Sequence, residues 1–191
     1  MKLKWNNLFT LLVVVILSAS CQEDLSSTAK KQPAEEKQQS KVEIIESVNT
    51  TIDLWHKAAA EANFDAYFNL MTANAVFIGT DATENWQLSD FKSYSKPYFD
   101  KGKAWSFNAI DRNVYVSEDL QSVWFDELLD TQMKICRGSG VLKRENKQWK
   151  IAHYVLSATI PNDKMKAVID LKSESDSLWV KQFVINKLNA R

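Results

Sequence analysis

The chain has 191 residues, of which 45% are hydrophobic and 25% are charged, and its 24 basic side chains balance 24 acidic ones. This length fits one ordinary globular domain with some additional segments, and the balanced charge excludes a nucleic-acid binder that depends on bulk charge. Four glycines, three prolines and two cysteines exclude collagen-like, low-complexity and disulfide-framework chains.

The first twenty residues have the order of a secretory signal. Lys2 and Lys4 precede an apolar run over residues 8–17, and three small residues then precede Cys21. The run is shorter than the about 20 residues that a membrane-spanning helix needs. Small residues followed by cysteine resemble the lipobox of bacterial lipoproteins. This resemblance implies a signal peptide over residues 1–20, acylation of Cys21, and a protein anchored to the membrane of the bacterial cell envelope, periplasmic or at the cell surface.

The segment that follows, residues 21–41, predicts a disordered tether. From residue 22 onward it has no aromatic and no β-branched aliphatic side chain, and Ser, Gln, Lys and Glu dominate it. Such a segment cannot bury enough apolar surface to offset the entropy of ordering its backbone.

Helical periodicity begins at residue 42. Apolar residues recur at steps of three and four from Val42 to Ala62, which predicts an amphipathic helix. Residues 63–71 predict a second short helix, residues 75–80 a strand, and residues 88–101 a third helix with Ser89 as its N-cap.

Four β-rich runs follow, over residues 105–117, 121–130, 134–145 and 148–160, with polar turns between them. Helices followed by a long antiparallel meander predict the α+β class, in which helices pack on one face of a curved sheet.

Short motifs accompany this order of elements: Trp55-His56, Phe77-Ile78-Gly79-Thr80-Asp81, Glu84-Asn85-Trp86, Tyr98-Phe99, Gly102-Lys103-Ala104-Trp105, Trp124-Phe125-Asp126-Glu127, Arg137-Gly138-Ser139-Gly140 and Trp149-Lys150-Ile151. Over residues 42–161 the chain resembles the SnoaL-like branch of the nuclear transport factor 2-like superfamily. The resemblance implies a cone-shaped, curved antiparallel sheet with N-terminal helices on its concave face and a mouth that can hold a small apolar molecule. This superfamily contains isomerases, cyclases, dehydratases and transport factors, so the activity has to be argued from the site.

The alternation of side chains along residues 121–130 separates two neighbouring carboxylates. Asp126 and Glu127 point to opposite faces of the predicted strand, so at most one of them lies in the cavity. They therefore cannot form a glycosidase-type pair of carboxylates.

The same rule applied to the last strand predicts the position of a histidine. Trp149 and Ile151 are natural core residues, and His153 has the same parity. We therefore expect His153 on the concave side and Tyr154 on the other.

An acid–base enzyme in such a cone would use one desolvated carboxylate or histidine beside a Tyr or Trp donor. Asp126 and His153 are the catalytic candidates, with Glu127 as the alternative carboxylate to Asp126. Arg137 is either their charge partner or a structural cross-strand partner of Glu127. His56 is expected at the surface or as a helix cap.

The aromatic residues around the predicted cone supply candidate ligand contacts. With one arginine added, the predicted ligand-binding set consists of Trp55, Tyr67, Trp86, Tyr98, Trp105, Trp124 and Arg137. Asp81 and Glu84, on the loop before Trp86, are further acid–base candidates.

The sequence predicts no metal site and no cofactor. Its two histidines are nearly a hundred positions apart, and it has neither clustered carboxylates nor a glycine-rich phosphate loop. Cys136 is expected to be an inert, buried thiol.

Residues 162–191 form a helical extension beyond the cone. Met165–Ile169 predict one or two turns, residues 173–177 interrupt them, and residues 179–188 resume the helical spacing. The Trp-Phe-Val stripe of this extension predicts packing against the domain, or a homodimer formed through this helix or through the sheet.

Two functional hypotheses remain. The first is a membrane-anchored binding module whose cavity takes a small, partly apolar ligand or a partner segment. The second is an acid–base enzyme of the isomerase, cyclase or dehydratase type that acts on a small cyclic or carbonyl substrate. A desolvated carboxylate or histidine beside a Tyr or Trp donor in the cavity would favour the enzyme.

Overall fold

The computed structural model describes residues 25–189, with side chains from residue 40 onward. The predicted signal peptide over residues 1–20 and the predicted acylation site Cys21 lie outside the described residues. By its internal contacts the chain divides into two units, Met1–Gln38 and Gln39–Arg191.

Helix α1 covers Leu25–Ala60, so the described part of the first unit is helical rather than disordered as the composition predicts. Lys, Gln, Glu and Ala are good helix formers. A segment that lacks apolar surface can therefore still adopt helical backbone.

The second unit begins with the amphipathic part of α1. Val48, Ile52, Trp55 and Ala59 are buried at the predicted spacing of three and four residues. Helix α2 covers Phe64–Asn69 and begins at the side chain of Asn63, which accepts a hydrogen bond from the backbone N–H of Ala66 at 3.1 Å.

Strand β1 covers Met71–Ile78, the short strand β2 covers Asn85–Gln87, and helix α3 covers Leu88–Asp100. The prediction that Ser89 caps α3 is wrong. Because β2 leads directly into the helix, Gln87 takes the N-cap position without a side-chain hydrogen bond, and Ser89 lies inside the first turn.

Four long strands complete the domain: β3 over Phe107–Val116, β4 over Ser122–Thr131, β5 over Lys134–Glu145 and β6 over Gln148–Ala158. The sheet order is β2-β1-β6-β5-β4-β3. The predicted antiparallel meander is confirmed for β3 to β6, but β1 pairs with β6 in parallel, so the six-stranded sheet is mixed.

Helices α1 to α3 cover one face of the sheet, here called the concave face. Trp55 of α1 contacts Tyr154 of β6 at 4.9 Å between ring centroids, and Phe91 of α3 stacks on Phe77 of β1 at 4.1 Å. The opposite face, here called the open face, carries exposed aromatic residues such as Trp124. The predicted α+β fold with helices on one side of a curved sheet is confirmed.

After a short 3-10 turn, Asn162–Lys164, helix α4 covers Met165–Asn189 without interruption. The predicted break at residues 173–177 is wrong. Ser173 and Ser177 lie inside the helix, where each hydroxyl donates to a backbone carbonyl four residues earlier at 2.6 Å, so their polar groups are satisfied without a break. No side chain of α4 is buried, and Phe183 is 51% exposed. The stripe is therefore not buried in its own domain, although Trp179 and Val180 line a groove together with residues 80–82. Pairing between copies stays a prediction.

None of the helices within the described residues is long and apolar enough to cross a membrane.

Candidate functional site

A small cavity opens on the concave side between α3, the loop after β1 and the turn between β4 and β5. Its volume is ≈ 160 Å³. A cavity of about 150 Å³ with apolar walls holds one benzene molecule, so this space fits a single aromatic ring. Half of the residues that line it are aromatic: Phe77, Trp86, Phe91, Tyr94, Trp105 and Phe107.

The inner wall is built from nearly parallel rings. Phe77 and Phe91 stack at 4.1 Å with an angle of 12° between their planes, and Phe91 and Trp105 stack at 5.7 Å with an angle of 24°. These rings stack on one another and form one continuous aromatic wall, on which a ligand ring can pack in an offset-stacked or edge-to-face arrangement.

The mouth is a second group of aromatic rings, contributed by β2 and by the surface of α3. Trp86 stacks on Tyr94 at 4.9 Å, and Tyr94 contacts Tyr98 at 5.6 Å. Burial raises the pKa of Tyr94, and the hydroxyl of Tyr98 and the charge of Glu84 raise it further. The carboxylate of Glu84 is therefore close enough to act electrostatically on the mouth.

Glu84 is the only charged residue among the described residues that line the cavity. Its Oε2 accepts a hydrogen bond from the backbone N–H of Asp81 at 3.2 Å. The carboxylate also lies over Gly79, where a Cβ atom would overlap Oε2. A backbone donor on one side and a glycine beneath thus hold Glu84 at the cavity.

A separate cluster of buried charges lies between α1 and the sheet. The side chain of Glu127 is fully buried, and its Oε1 lies 2.8 Å from Nε2 of His56 and accepts the hydroxyl of Tyr154 at 3.0 Å. Its Oε2 accepts Nε of Arg112 at 2.9 Å. Both carboxylate oxygens are therefore satisfied, which is the condition for burying a charge at acceptable cost.

Burial alone would raise the pKa of Glu127, but the hydrogen bonds and charges of His56 and Arg112 outweigh it and leave the pKa below its ordinary value. Burial and the adjacent Glu127 charge raise the pKa of the Tyr154 hydroxyl well above its usual range. Glu127 is thus ionised at neutral pH, and Nε2 of His56 carries the hydrogen that the two residues share.

Arg112 connects this cluster to the surface of α1. One of its terminal nitrogens donates to the carboxylate of Asp53 at 2.8 Å and to the side chain of Asn49 at 3.2 Å. The other terminal nitrogen is buried and has no hydrogen-bond partner within the described part of the chain. Arg112 holds Glu127 and α1 together as a structural clamp.

His56 also faces a surface groove of ≈ 410 Å³ that is lined by Asp53, Lys57, Phe107 and Asn108. The prediction that His56 lies at the surface or caps a helix is wrong, because the residue is only 5% exposed and its side chain contacts Glu127. Phe107 borders both the groove and the aromatic cavity, and Glu127 does not line either of them.

Asp126 lies on the open face, as its parity relative to Glu127 predicts. It accepts a hydrogen bond from Asn113 at 3.3 Å and lies 3.7 Å from Arg137. The alternative pairing of Arg137 with Glu127 is wrong, because Arg137 stands opposite Leu128 and shares the exposed face of Asp126. Arg112 on β3, rather than Arg137, forms the ion pair with Glu127.

The prediction that His153 lies on the concave face is wrong. The register between β5 and β6 shifts by one residue: Val141 pairs with His153, whereas its neighbour Leu142 pairs with Ile151. Ala152 therefore has no partner on β5 and is an extra residue in β6. This β-bulge reverses the parity of everything after it. Tyr154 therefore faces the concave side, and His153 faces the open side.

The predicted ligand-binding residues separate into three locations. Trp86 and Trp105 line the cavity, and Tyr98 lies beside its mouth. Trp55 and Tyr67 are fully buried in the core, where they stack at 4.9 Å. Trp124 is half-exposed on the open face and stacks on Tyr115 at 5.9 Å.

Tyr67 and Trp105 are also polar neighbours behind the cavity wall. The hydroxyl of Tyr67 lies beside the indole N–H of Trp105, although neither group forms a well-aligned hydrogen bond with a described residue. Burial raises the pKa of Tyr67 well above its usual value.

The residues that anchor the buried cluster are absent from the predicted site. A signal for them exists in α1, where Asn49, Asp53 and His56 recur at steps of four and three beside the apolar stripe. Such a polar stripe at the edge of a buried face indicates polar partners on the sheet. Cys136 is buried as predicted.

No group of three or more His, Cys, Asp or Glu side chains within the described residues could hold a metal ion.

The sequence pattern of the SnoaL-like domain matches residues 48–161. No curated protein matches the chain in sequence.

Solved structures show the same fold at low sequence identity. A domain of unknown function with a cystatin-like fold from Nostoc punctiforme PCC 73102 is 11% identical with a TM-score of 0.54, covering 76% of this chain and 96% of that chain. A candidate aromatic ring hydroxylase from Novosphingobium aromaticivorans is 14% identical with a TM-score of 0.53, covering 63% and 92%. A candidate dehydratase of the nuclear transport factor 2-like family from Streptomyces avermitilis is 13% identical with a TM-score of 0.52, covering 61% and 96%.

Proposed function

The chain belongs to the SnoaL-like domain family, and from this premise we propose that it is a lipid-anchored envelope protein that binds a small aromatic molecule without transforming it. The observation that carries the proposal is the cavity of ≈ 160 Å³ with aromatic walls. Its wall contains no histidine, and the buried carboxylate of Glu127 lies outside it. The site therefore offers contact area for a ring but no desolvated base.

The affinity for a minimal ligand should be modest. A compound of about nine non-hydrogen atoms that fills this space should bind with a Kd on the order of 0.1 mM, within the ceiling for small ligands. Larger natural ligands would gain affinity from contacts with Trp86 and Tyr94 at the mouth.

The test uses two matched tryptophans. Trp86 and Trp124 are both partly exposed, and each stacks on a tyrosine, but only Trp86 lines the cavity. Titration calorimetry with the neutral probe 2-phenylethanol should show binding that Trp86→Ala weakens about three- to tenfold, the size of one aromatic contact. Trp124→Ala should leave the affinity unchanged. Absence of binding to the parent protein, or an equal effect of both substitutions, would contradict the proposal.

Anchoring through an acylated Cys21 is supported by the sequence around it. Two or more acyl chains hold a protein stably on a membrane. We expect the wild-type protein in the membrane fraction of its bacterial host and Cys21→Ser in the soluble envelope fraction. If the variant stays in the membrane fraction at full length, the lipoprotein assignment is wrong.

The second candidate function is an acid–base enzyme, and the contact of His56 with Glu127 and Tyr154 favours it. A buried carboxylate that orients a histidine is a common arrangement around a general base. The base would be His56 in its groove, because the lowered pKa of Glu127 makes that carboxylate a weak proton acceptor.

Deuterium exchange separates the two candidates. An enzyme of this kind should catalyse exchange of the α-protons of a cyclic ketone such as cyclohexanone in D₂O, followed by proton NMR, and His56→Gln should abolish this exchange. His153→Gln, on the open face, is the matched control. The binding proposal expects no exchange above the buffer background for any of these proteins.

A further inference from the structure

We propose that the ligand of the aromatic cavity is a protonated aryl-alkylamine, with its ring against the wall formed by Phe77, Phe91 and Trp105 and its ammonium group at Glu84. This inference rests on the proposed binding function and adds the chemical class of the ligand. It depends on the charge, the position and the surroundings of one carboxylate.

The charge of Glu84 has no counter-ion among the described residues. No described lysine, arginine or histidine forms an ion pair with it, and no other charged residue lines the cavity. Of its two carboxylate oxygens, Oε2 accepts the backbone N–H of Asp81, while Oε1 accepts no hydrogen bond from a described residue. One oxygen is thus held by the loop and the other is available to a donor.

The position of Glu84 is fixed rather than incidental. The loop brings the backbone N–H of Gly79 to the carbonyl of Glu84 at 2.9 Å, and the N–H of Glu84 to the carbonyl of Asp81 at 3.0 Å. With the side chain lying over Gly79, these bonds place the carboxylate at the cavity and keep it half-buried. A charge in such a position interacts more strongly with a ligand than a fully exposed one.

The mouth adds a second attraction for a cation. Trp86 and Tyr94 form a stacked pair that lines the same cavity as Glu84. Aromatic faces attract ammonium groups, and the combination of aromatic rings with a carboxylate is a general solution for binding them. The same surroundings repel a carboxylate, which would lie beside Glu84 with no positive side chain to compensate.

Three isosteric probes test this inference: 2-phenylethylamine, 2-phenylethanol and phenylacetate. They share the ring and the chain length and differ in the charge of the terminal group. By calorimetry at low ionic strength we expect the amine to bind about tenfold more tightly than the alcohol, and phenylacetate to bind at least tenfold more weakly than the alcohol.

Glu84→Gln should bring the amine to the affinity of the alcohol and leave the alcohol unchanged. Asp90→Asn removes the same charge from an exposed site on α3 outside the cavity lining, and should preserve the amine preference. Circular dichroism would verify that both variants fold.

The outcomes separate this inference from the binding function beneath it. If the alcohol binds but the amine binds no better, or if Glu84→Gln leaves the amine preference intact, the amine class is wrong and the binding function stands. Tighter binding of phenylacetate than of the alcohol would also overturn the inference. If none of the three probes binds, the proposed function itself fails.

Discussion

Two glutamates on the same side of the sheet show how surroundings decide the use of a carboxylate. Glu127 is fully buried, and both of its carboxylate oxygens are hydrogen-bonded, to His56, Tyr154 and Arg112. Glu84 is half-buried at the cavity, holds one backbone hydrogen bond and has no ion pair with a described residue. Glu127 therefore has a structural role, whereas the carboxylate of Glu84 is available to a ligand.

The largest expected effect is the loss of stability when the buried Glu127 is replaced. Glu127→Ala leaves Arg112 buried without its main counter-charge, and we expect a loss of about 3–5 kcal/mol in the free energy of unfolding, measured by urea denaturation. Asp126→Asn, the neighbouring residue on the open face, should cost at most about 1 kcal/mol because its ion pair is partly exposed. Similar losses for both variants would break the contrast.

Alanine substitutions of the two glycines that contact these carboxylates, Gly138 and Gly79, should differ in the same way in their effect on stability. A Cβ atom at Gly138 would overlap the Tyr154 hydroxyl and lie 2.9 Å from Oε1 of Glu127. A Cβ atom at Gly79 would overlap the movable carboxylate of Glu84 and lie 3.0 Å from the Cβ atom of that residue. Gly138→Ala should therefore destabilise the protein by about 1–3 kcal/mol. Gly79→Ala should stay within about 0.5 kcal/mol of the wild type, as is usual away from the core.

Gly79→Ala should nevertheless reduce the preference for 2-phenylethylamine over 2-phenylethanol, because it displaces the Glu84 carboxylate. An unchanged preference in calorimetry would show that the position of Glu84 is unimportant for binding.

The pH dependence of stability should come partly from Glu127. Its pKa in the folded protein lies below the ordinary value of 4.5, so the unfolded chain binds a proton more readily than the folded one. The stabilisation is complete above about pH 4.5 and is lost as the pH falls through the lower, folded pKa. Carboxyl carbon NMR shifts should show a buried glutamate that titrates below 4.5. A buried glutamate that titrates above this value would contradict the charged cluster.

The smallest effect should follow removal of α4. None of its side chains is buried, so truncation after residue 164 should change the free energy of unfolding by less than about 0.5 kcal/mol. Denaturant titration of the shortened protein measures this directly. A loss above about 1 kcal/mol would show that the helix packs on the domain in solution.

The sequence was sufficient to predict the elements whose patterns are regular. Alternation along β4 correctly separates Asp126 from Glu127 because that strand has an unbroken register with β5. The heptad-like stripe of α1 correctly predicts the burial of Trp55 and Ile52. The spacing of apolar residues reflects the local backbone geometry, so it predicts the buried face correctly where a helix or strand is regular.

The site was harder to predict because it depends on contacts between distant residues. The partner of Glu127 is Arg112 rather than Arg137, and a choice between two arginines on different strands requires the register of the sheet. His56 becomes buried only because Glu127 on β4 meets it across the core. The aromatic cavity likewise joins Phe77, Phe91 and Trp105 from three separate segments.

The extra residue in β6 has a consequence for comparing this protein with its relatives. A homologous strand without Ala152 would need a one-position gap at that point to place equivalent side chains together. An ungapped alignment would equate the concave-facing Tyr154 of this chain with an outward-facing residue, and the outward-facing His153 with an inward one. The placement of a single gap thus determines whether the tyrosine or the histidine of this chain is aligned with an inward-facing residue of a related protein.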